Sequence, residues 1–130
     1  MNHQKPLYQE LLLDHYKNPR NCRVLETPTI ETGAFNPSCG DSVAFYLELS
    51  PDGLVTQATF QGAGCVISQA TASLVTVAVQ HKSLQELQTL TSADLLALIG
   101  IELGPVRSRC ALLSLEALQE GVSRFINKAH

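Results

Sequence analysis

The four cysteines of the chain, Cys22, Cys39, Cys65 and Cys110, are its clearest carriers of chemistry. A thiolate attacks sulfur and binds soft or borderline metals, and both abilities depend on how readily the thiol gives up its proton. Cys39 lies in Asn36-Pro37-Ser38-Cys39-Gly40-Asp41, Cys65 follows Gly62-Ala63-Gly64, and Cys110 follows Arg109. The first reads as a loop residue before a strand, the second as the opening of a helix, and the third as a residue in the first turns of another. All three therefore fall at element ends, where side chains from separate elements can converge. Helix N-termini and adjacent cations favour negative charge on sulfur; Cys65 has the first influence and Cys110 both. Asp41, two residues beyond Cys39, can set a carboxylate oxygen beside a thiolate. Three thiolates and one carboxylate form a four-coordinate set suited to zinc, iron or an iron–sulfur cluster.

Spacing leaves a blander alternative open. No CxxC pair is present, and an isolated cysteine commonly serves as a small apolar core residue. Cys22, after Asn18-Pro19-Arg20-Asn21, is read as structural, and His15 as a packed or hydrogen-bonded histidine rather than a ligand or base. Gly62-Ala63-Gly64 completes neither GxGxxG nor GxxxxGK[ST], which argues against nucleotide binding. Proline inside Asn36-Pro37-Ser38 removes it as a glycan acceptor.

Composition narrows the class. The chain has 130 residues, 45% hydrophobic and 16% charged, which suits a single domain spanning 1–130. A net charge of −3 with scattered Lys and Arg argues against nucleic acid and against an anionic membrane surface. No apolar run approaches the roughly 20 residues of a spanning helix. The first residues lack the apolar core of a signal peptide, so the expected location is cytoplasmic. There, four cysteines are expected as thiols or metal ligands rather than as disulfides.

The elements that must position these residues follow from periodicity. Leu7, Leu11 and Leu12, with Tyr8 and His15 near the same stripe, predict an amphipathic helix over 6–18 that Pro19 ends. Residues 23–35 should hold one edge strand and a loop. Val43, Phe45, Leu47 and Leu49 alternate with Ala44, Tyr46 and Glu48, the period of a half-buried strand. Ser50-Pro51-Asp52-Gly53 has turn chemistry, and 54–60 returns as the partner strand with Leu54, Thr56, Ala58 and Phe60 on one face. From Cys65 the period becomes helical, with Ile67, Ala70, Leu74 and Ala78 inward, broadened by Val66 and Val77, to about Gln80. Ser83 with Glu86 fits a capping box, Ser92 is expected to cap a further short helix that ends at Gly100, and Pro105 lies near the start of the last. That helix carries Leu112, Leu115, Leu118, Val122 and Phe125 on one stripe. The predicted class is α+β, a small antiparallel three-stranded sheet packed against several helices.

At these residues the chain resembles the IscU/SufU/NifU N-terminal family of iron–sulfur cluster assembly proteins, over about residues 7–122. The resemblance is carried by Leu13-Asp14-His15-Tyr16-Lys17-Asn18-Pro19-Arg20-Asn21, by Asn36-Pro37-Ser38-Cys39-Gly40-Asp41, and by Phe60-Gln61-Gly62-Ala63-Gly64-Cys65. Ala70-Thr71-Ala72-Ser73-Leu74 and Arg109-Cys110-Ala111 complete it. Arg109 and Gly62-Ala63-Gly64-Cys65 are similar to SufU-type members, where IscU-type scaffolds carry histidine before the third cysteine. The chain lacks the insertion that SufU-type members carry before the last helix. Leu103-Gly104-Pro105-Val106-Arg107 is similar to the chaperone-recognition Leu-Pro-Pro-Val-Lys of IscU-type proteins, departing at Gly104 and Arg107.

The resemblance implies a scaffold that accepts sulfur from a cysteine desulfurase and holds iron or a transient [2Fe–2S] cluster for apo iron–sulfur acceptor proteins. It implies Cys39, Cys65 and Cys110 as thiolate ligands and Asp41 as the fourth, labile ligand, with a chaperone as a further partner. Either Cys110 or Cys39 would receive the persulfide. The alternative implied by the SufU branch is a zinc-dependent sulfurtransferase that relays sulfur and carries no cluster. A third reading is a zinc-stabilised interaction domain. Zinc is expected in the isolated protein.

Overall fold

The turn at Ser50-Pro51-Asp52-Gly53 closes as its residue types require: Gly53 takes φ +84°, its N–H bonds the Ser50 carbonyl at 2.9 Å, and the strands on either side pair. The computed structural model describes residues 5–38 and 40–129. In chain order the elements are α1 (Lys5–Lys17), β1 (Ile30–Asn36), β2 (Asp41–Leu49), β3 (Val55–Ala63), α2 (Val66–Ala78), α3 (Leu84–Thr89), α4 (Ser92–Ile99) and α5 (Pro105–Ala129). The three strands form one antiparallel sheet in the order β1-β2-β3. The architecture is α+β.

Strand alternation puts Val43, Phe45 and Leu47 inside, and the register sets Phe45 opposite Phe60 and Leu47 opposite Ala58. Each phenylalanine is 1% exposed, and truncating either to alanine should cost about 3–5 kcal/mol. One expectation fails on β3. Leu54 and Thr56 are exposed, whereas Val55 is buried with Ala58 and Phe60. The register explains this, because Leu49 pairs Val55 while Glu48 pairs Gln57, leaving Thr56 as an extra residue. A bulge of one residue inverts the parity of everything beyond it. Thr56 turns its hydroxyl to the Glu48 carbonyl at 3.0 Å instead.

Helices α5 and α2 pack on the sheet, α5 on β1 and β2, and α2 on β3 and β2. The placement of α5 is fixed by a close approach. A Cβ on Gly121 would stand 2.5 Å from the Cβ of Thr32, so only glycine lets the helix lie this near to β1. Thr32 Oγ1 then donates to the Ala117 carbonyl at 2.8 Å and accepts from Arg124 Nη2 at 3.0 Å. These contacts set the depth of α5, and with it the depth of Cys110.

The other helices depart from the sequence pattern in detail. On α1 the buried residues are Leu12 and His15, with Tyr8 half-buried, while Leu7 and Leu11 are exposed. Leu12 joins Ala70, Leu74, Ile99 and Ala111 in a second apolar cluster, beside the larger core on the sheet. Helix α2 is buried nearly all round, so Val66 and Val77, expected to broaden its apolar stripe, are instead its exposed apolar residues. The Ser83–Glu86 capping box forms as predicted. The cap of α4 is Thr91 rather than Ser92, in a second capping box with Asp94. Thr91 and Asp94 have the three-residue spacing that lets each side chain reach the other's backbone N–H, which Ser92 lacks. Gly100, at φ +80°, ends α4, and the Tyr8 ring occupies the space its side chain would need.

Candidate metal centre

Three of the predicted ligands are brought together by three different elements. Asp41 opens β2, Cys65 is the N-cap of α2, and Cys110 is the sixth residue of α5. One carboxylate oxygen of Asp41 and the sulfurs of Cys65 and Cys110 all lie within 4.8 Å of one another. Cys39, the fourth member of the predicted set, lies outside the described residues.

Each position has a local cause. The end of β3 carries Gly62 and Ala63 in regular pairing, so the chain departs from the sheet only at Gly64, with φ +135°. A Cβ there would stand 2.0 Å from Asp41 Oδ1. Glycine is therefore required twice, for the backbone angle and for the space the carboxylate fills. Cys65 follows in extended conformation, and its sulfur accepts from the Ser68 N–H at 3.5 Å, as an N-cap side chain does. Ser68 returns a hydroxyl bond to the Cys65 carbonyl at 3.1 Å. Asp41 is fully buried. Its Oδ1 accepts from the Cys65 N–H at 2.8 Å, and its Oδ2 lies 3.5 Å from the Cys65 sulfur.

The two thiols differ in setting. Cys65 is exposed, whereas Cys110 is 3% exposed, in the buried row Cys110, Ser114, Ala117 and Gly121. Arg109 is exposed while Cys110 faces the core, so the two neighbours point into different surroundings. The partial charge of a helix end fades within its first turn. Cys65 stands at the end of α2 itself, while Cys110 stands beyond the first turn of α5.

As a donor set, two thiols and a carboxylate suit zinc or iron, which accept sulfur and oxygen at about 2.0–2.3 Å. The fit is chemical as well as spatial: a fully buried carboxylate needs partners, and the N-terminus of α2 supplies one of them. Two soft donors with one harder donor can hold a metal without closing every coordination position.

Other residues singled out in the sequence fall elsewhere. Cys22 is exposed and forms a parallel bridge with Phe60 alongside β3. His15 is buried, with Nδ1 2.7 Å from Ser73 Oγ. Burial pushes its pKa down, reinforced by Arg20 and opposed by Asp14. The part of Ser73 was missed, although Ala70-Thr71-Ala72-Ser73-Leu74 offered a signal: a polar residue inside an otherwise buried helix face needs a partner. Among the described residues, no helix is long and apolar enough to cross a membrane.

Comparison with known proteins bears on this arrangement. The family model described as "NifU-like N terminal domain" matches residues 7–130. The chain is 36% identical to a zinc-dependent sulfurtransferase SufU of Bacillus subtilis, covering 91% of this chain and 90% of that protein. It is 32% identical to the iron–sulfur cluster assembly scaffold protein IscU of Escherichia coli, covering 93% and 95%. Among solved structures, a putative iron–sulfur cluster assembly scaffold protein for the SUF system from Fervidobacterium islandicum has the same fold, with a TM-score of 0.75 at 21% identity over 93% of this chain and 99% of that one.

Proposed function

The chain belongs to the NifU-like N-terminal family, with IscU and SufU among its relatives, and from that premise we propose that it is an iron–sulfur cluster assembly scaffold. It takes sulfur from a cysteine desulfurase, holds iron or a nascent [2Fe–2S] cluster as cargo, and passes it to apo acceptor proteins. The chain acts as one domain, in the cytoplasm. The observation that supports this reading is the approach of Asp41, Cys65 and Cys110 within 4.8 Å. Cys39, Cys65 and Cys110 serve as thiolate ligands and Asp41 as the oxygen ligand. Cys39 or Cys110 receives the persulfide. The burial of Cys110 means that a bulky donor reaches it only as the neighbouring turn opens.

A second reading is favoured by one observation, the 36% identity to the SufU sulfurtransferase. In it, the same residues hold zinc and relay sulfur without carrying a cluster. Zinc supplies charge that keeps its ligating thiols deprotonated.

Anaerobic incubation with a cysteine desulfurase, Fe(II) and an excess of cysteine, which serves as sulfur source and as the thiol reductant that turns persulfide sulfur into sulfide, separates the two. The scaffold reading expects a [2Fe–2S] absorption and Mössbauer spectrum that disappears in each single Cys→Ser variant of Cys39, Cys65 and Cys110. Persulfide and bound zinc without that chromophore, in repeated trials, would replace it with the relay. Absence of any persulfide would replace both with a zinc-stabilised interaction domain.

A further inference from the structure

We infer that the two carboxylate oxygens of Asp41 have separate tasks: Oδ1 builds the site by anchoring the start of α2, and Oδ2 alone faces the cargo. This rests on the reading of Asp41 as a ligand and deepens it. Three observations carry it. Oδ1 accepts from the Cys65 N–H at 2.8 Å, so it is engaged with the backbone of a neighbouring ligand. Oδ2 lies 3.5 Å from the Cys65 sulfur, and an oxygen of this carboxylate lies within 4.8 Å of the sulfurs of both Cys65 and Cys110. Gly64 supplies the room, since a Cβ there would collide with Oδ1 at 2.0 Å and with Asp41 Cα at 2.9 Å.

The consequence is mechanical. The carboxylate ties the first residue of β2 to the residue that caps α2, across 24 positions of chain. Rotating the carboxylate to offer both oxygens to a metal would break the Oδ1 bond and strand a donor at the end of a buried helix. Asp41 therefore binds through one oxygen and stays anchored while it does so. Its freedom to let go is limited to lengthening the Oδ2 contact.

Asparagine separates the two tasks, because its amide oxygen can keep the Oδ1 bond while its nitrogen replaces Oδ2 with a group that does not bind metal. Asp41→Asn, Asp41→Ala and Gly64→Ala would be compared with the unaltered chain by thermal unfolding in chelator and by competition for zinc and Co(II). In chelator, Asp41→Asn should melt like the unaltered chain, while Asp41→Ala and Gly64→Ala melt several degrees lower. With metal, all three should lose affinity, Asp41→Asn by roughly tenfold or more. Asp41→Asn melting as low as Asp41→Ala would overturn the division of tasks, as would unaltered zinc affinity in Asp41→Asn. Gly64→Ala matching the unaltered chain in both assays would show that the anchored position is unnecessary. If the unaltered chain itself binds neither metal, the ligand reading fails, while the order of melting temperatures in chelator still decides the role of Oδ1.

Discussion

His15 Nδ1 and Ser73 Oγ lie 2.7 Å apart across the α1–α2 contact, both side chains buried. Ser73 Oγ also accepts the Arg20 N–H at 2.8 Å, so one hydroxyl ties helix α1 and the segment after it to the centre of α2. The segment is held further by Asn21 Nδ2 donating to Thr76 Oγ1 at 3.1 Å. Asn21 itself takes φ +59°, a left-handed conformation that asparagine tolerates better than most residues.

Ser73→Ala removes one partner and leaves the buried His15 ring nitrogen and the part-buried Arg20 N–H without theirs. The expected loss is about 1–3 kcal/mol. Urea unfolding should show a lower midpoint with little change in slope. A midpoint equal to that of the unaltered chain would mean that water replaces the hydroxyl without cost.

The same histidine predicts a pH dependence. Burial holds the folded His15 pKa below its ordinary value of about 6.5. Below pH 6.5 the unfolded chain thus binds a proton that the folded chain resists, and stability rises with pH across that window. Stability should therefore fall as pH drops from about 6.5 and level off once the folded His15 also protonates. The Asp14 carboxyl, held low by hydrogen bonds from Arg20 and Asn18, adds its own loss only further into acid. In a His15→Gln variant the decline that begins near pH 6.5 should flatten. An unchanged slope there would assign it to another group.

Thr71 is fully buried in α2, and its hydroxyl has no partner among the described residues. Valine has nearly the same shape and carries no group that needs one. Thr71→Val should raise stability by about 1 kcal/mol, read as a higher thermal midpoint. A lower midpoint would reveal an ordered water on that hydroxyl.

Zinc should stabilise the chain by linkage, since folding alone gathers ligands from β2, α2 and α5. At 100 times its dissociation constant the gain is about 2.7 kcal/mol. Titration under calorimetry should show the midpoint rising with zinc and returning with chelator. Cys110→Ser should blunt that rise more than Cys22→Ser, because Cys22 stands apart at its bridge with Phe60. Equal blunting by both would place the metal elsewhere.

What the sequence determined by itself was local and repetitive. Alternation along 43–49, turn chemistry at 50–53, the switch to helical period at Cys65 and the Ser83–Glu86 spacing each act over a few residues. Each appears in the structure. Cysteine positions and their flanking residues also carried the family resemblance, because metal chemistry restricts residue type more sharply than packing does. What only the tertiary structure decided were properties that depend on a partner distant in the chain. The bulge at Thr56 arises from pairing with Glu48 and Leu49, and it reversed the expected face of β3. The exposure of Leu7 and Leu11, against the burial of Leu12 and His15, depends on how α1 rotates to reach Ser73 and Gly100. Most of all, no pattern within the chain joins Asp41, Gly64 and Cys65 into one unit. Their coupling is steric and hydrogen-bonded, made when β3 returns beside β2, and it exists only once the sheet has closed.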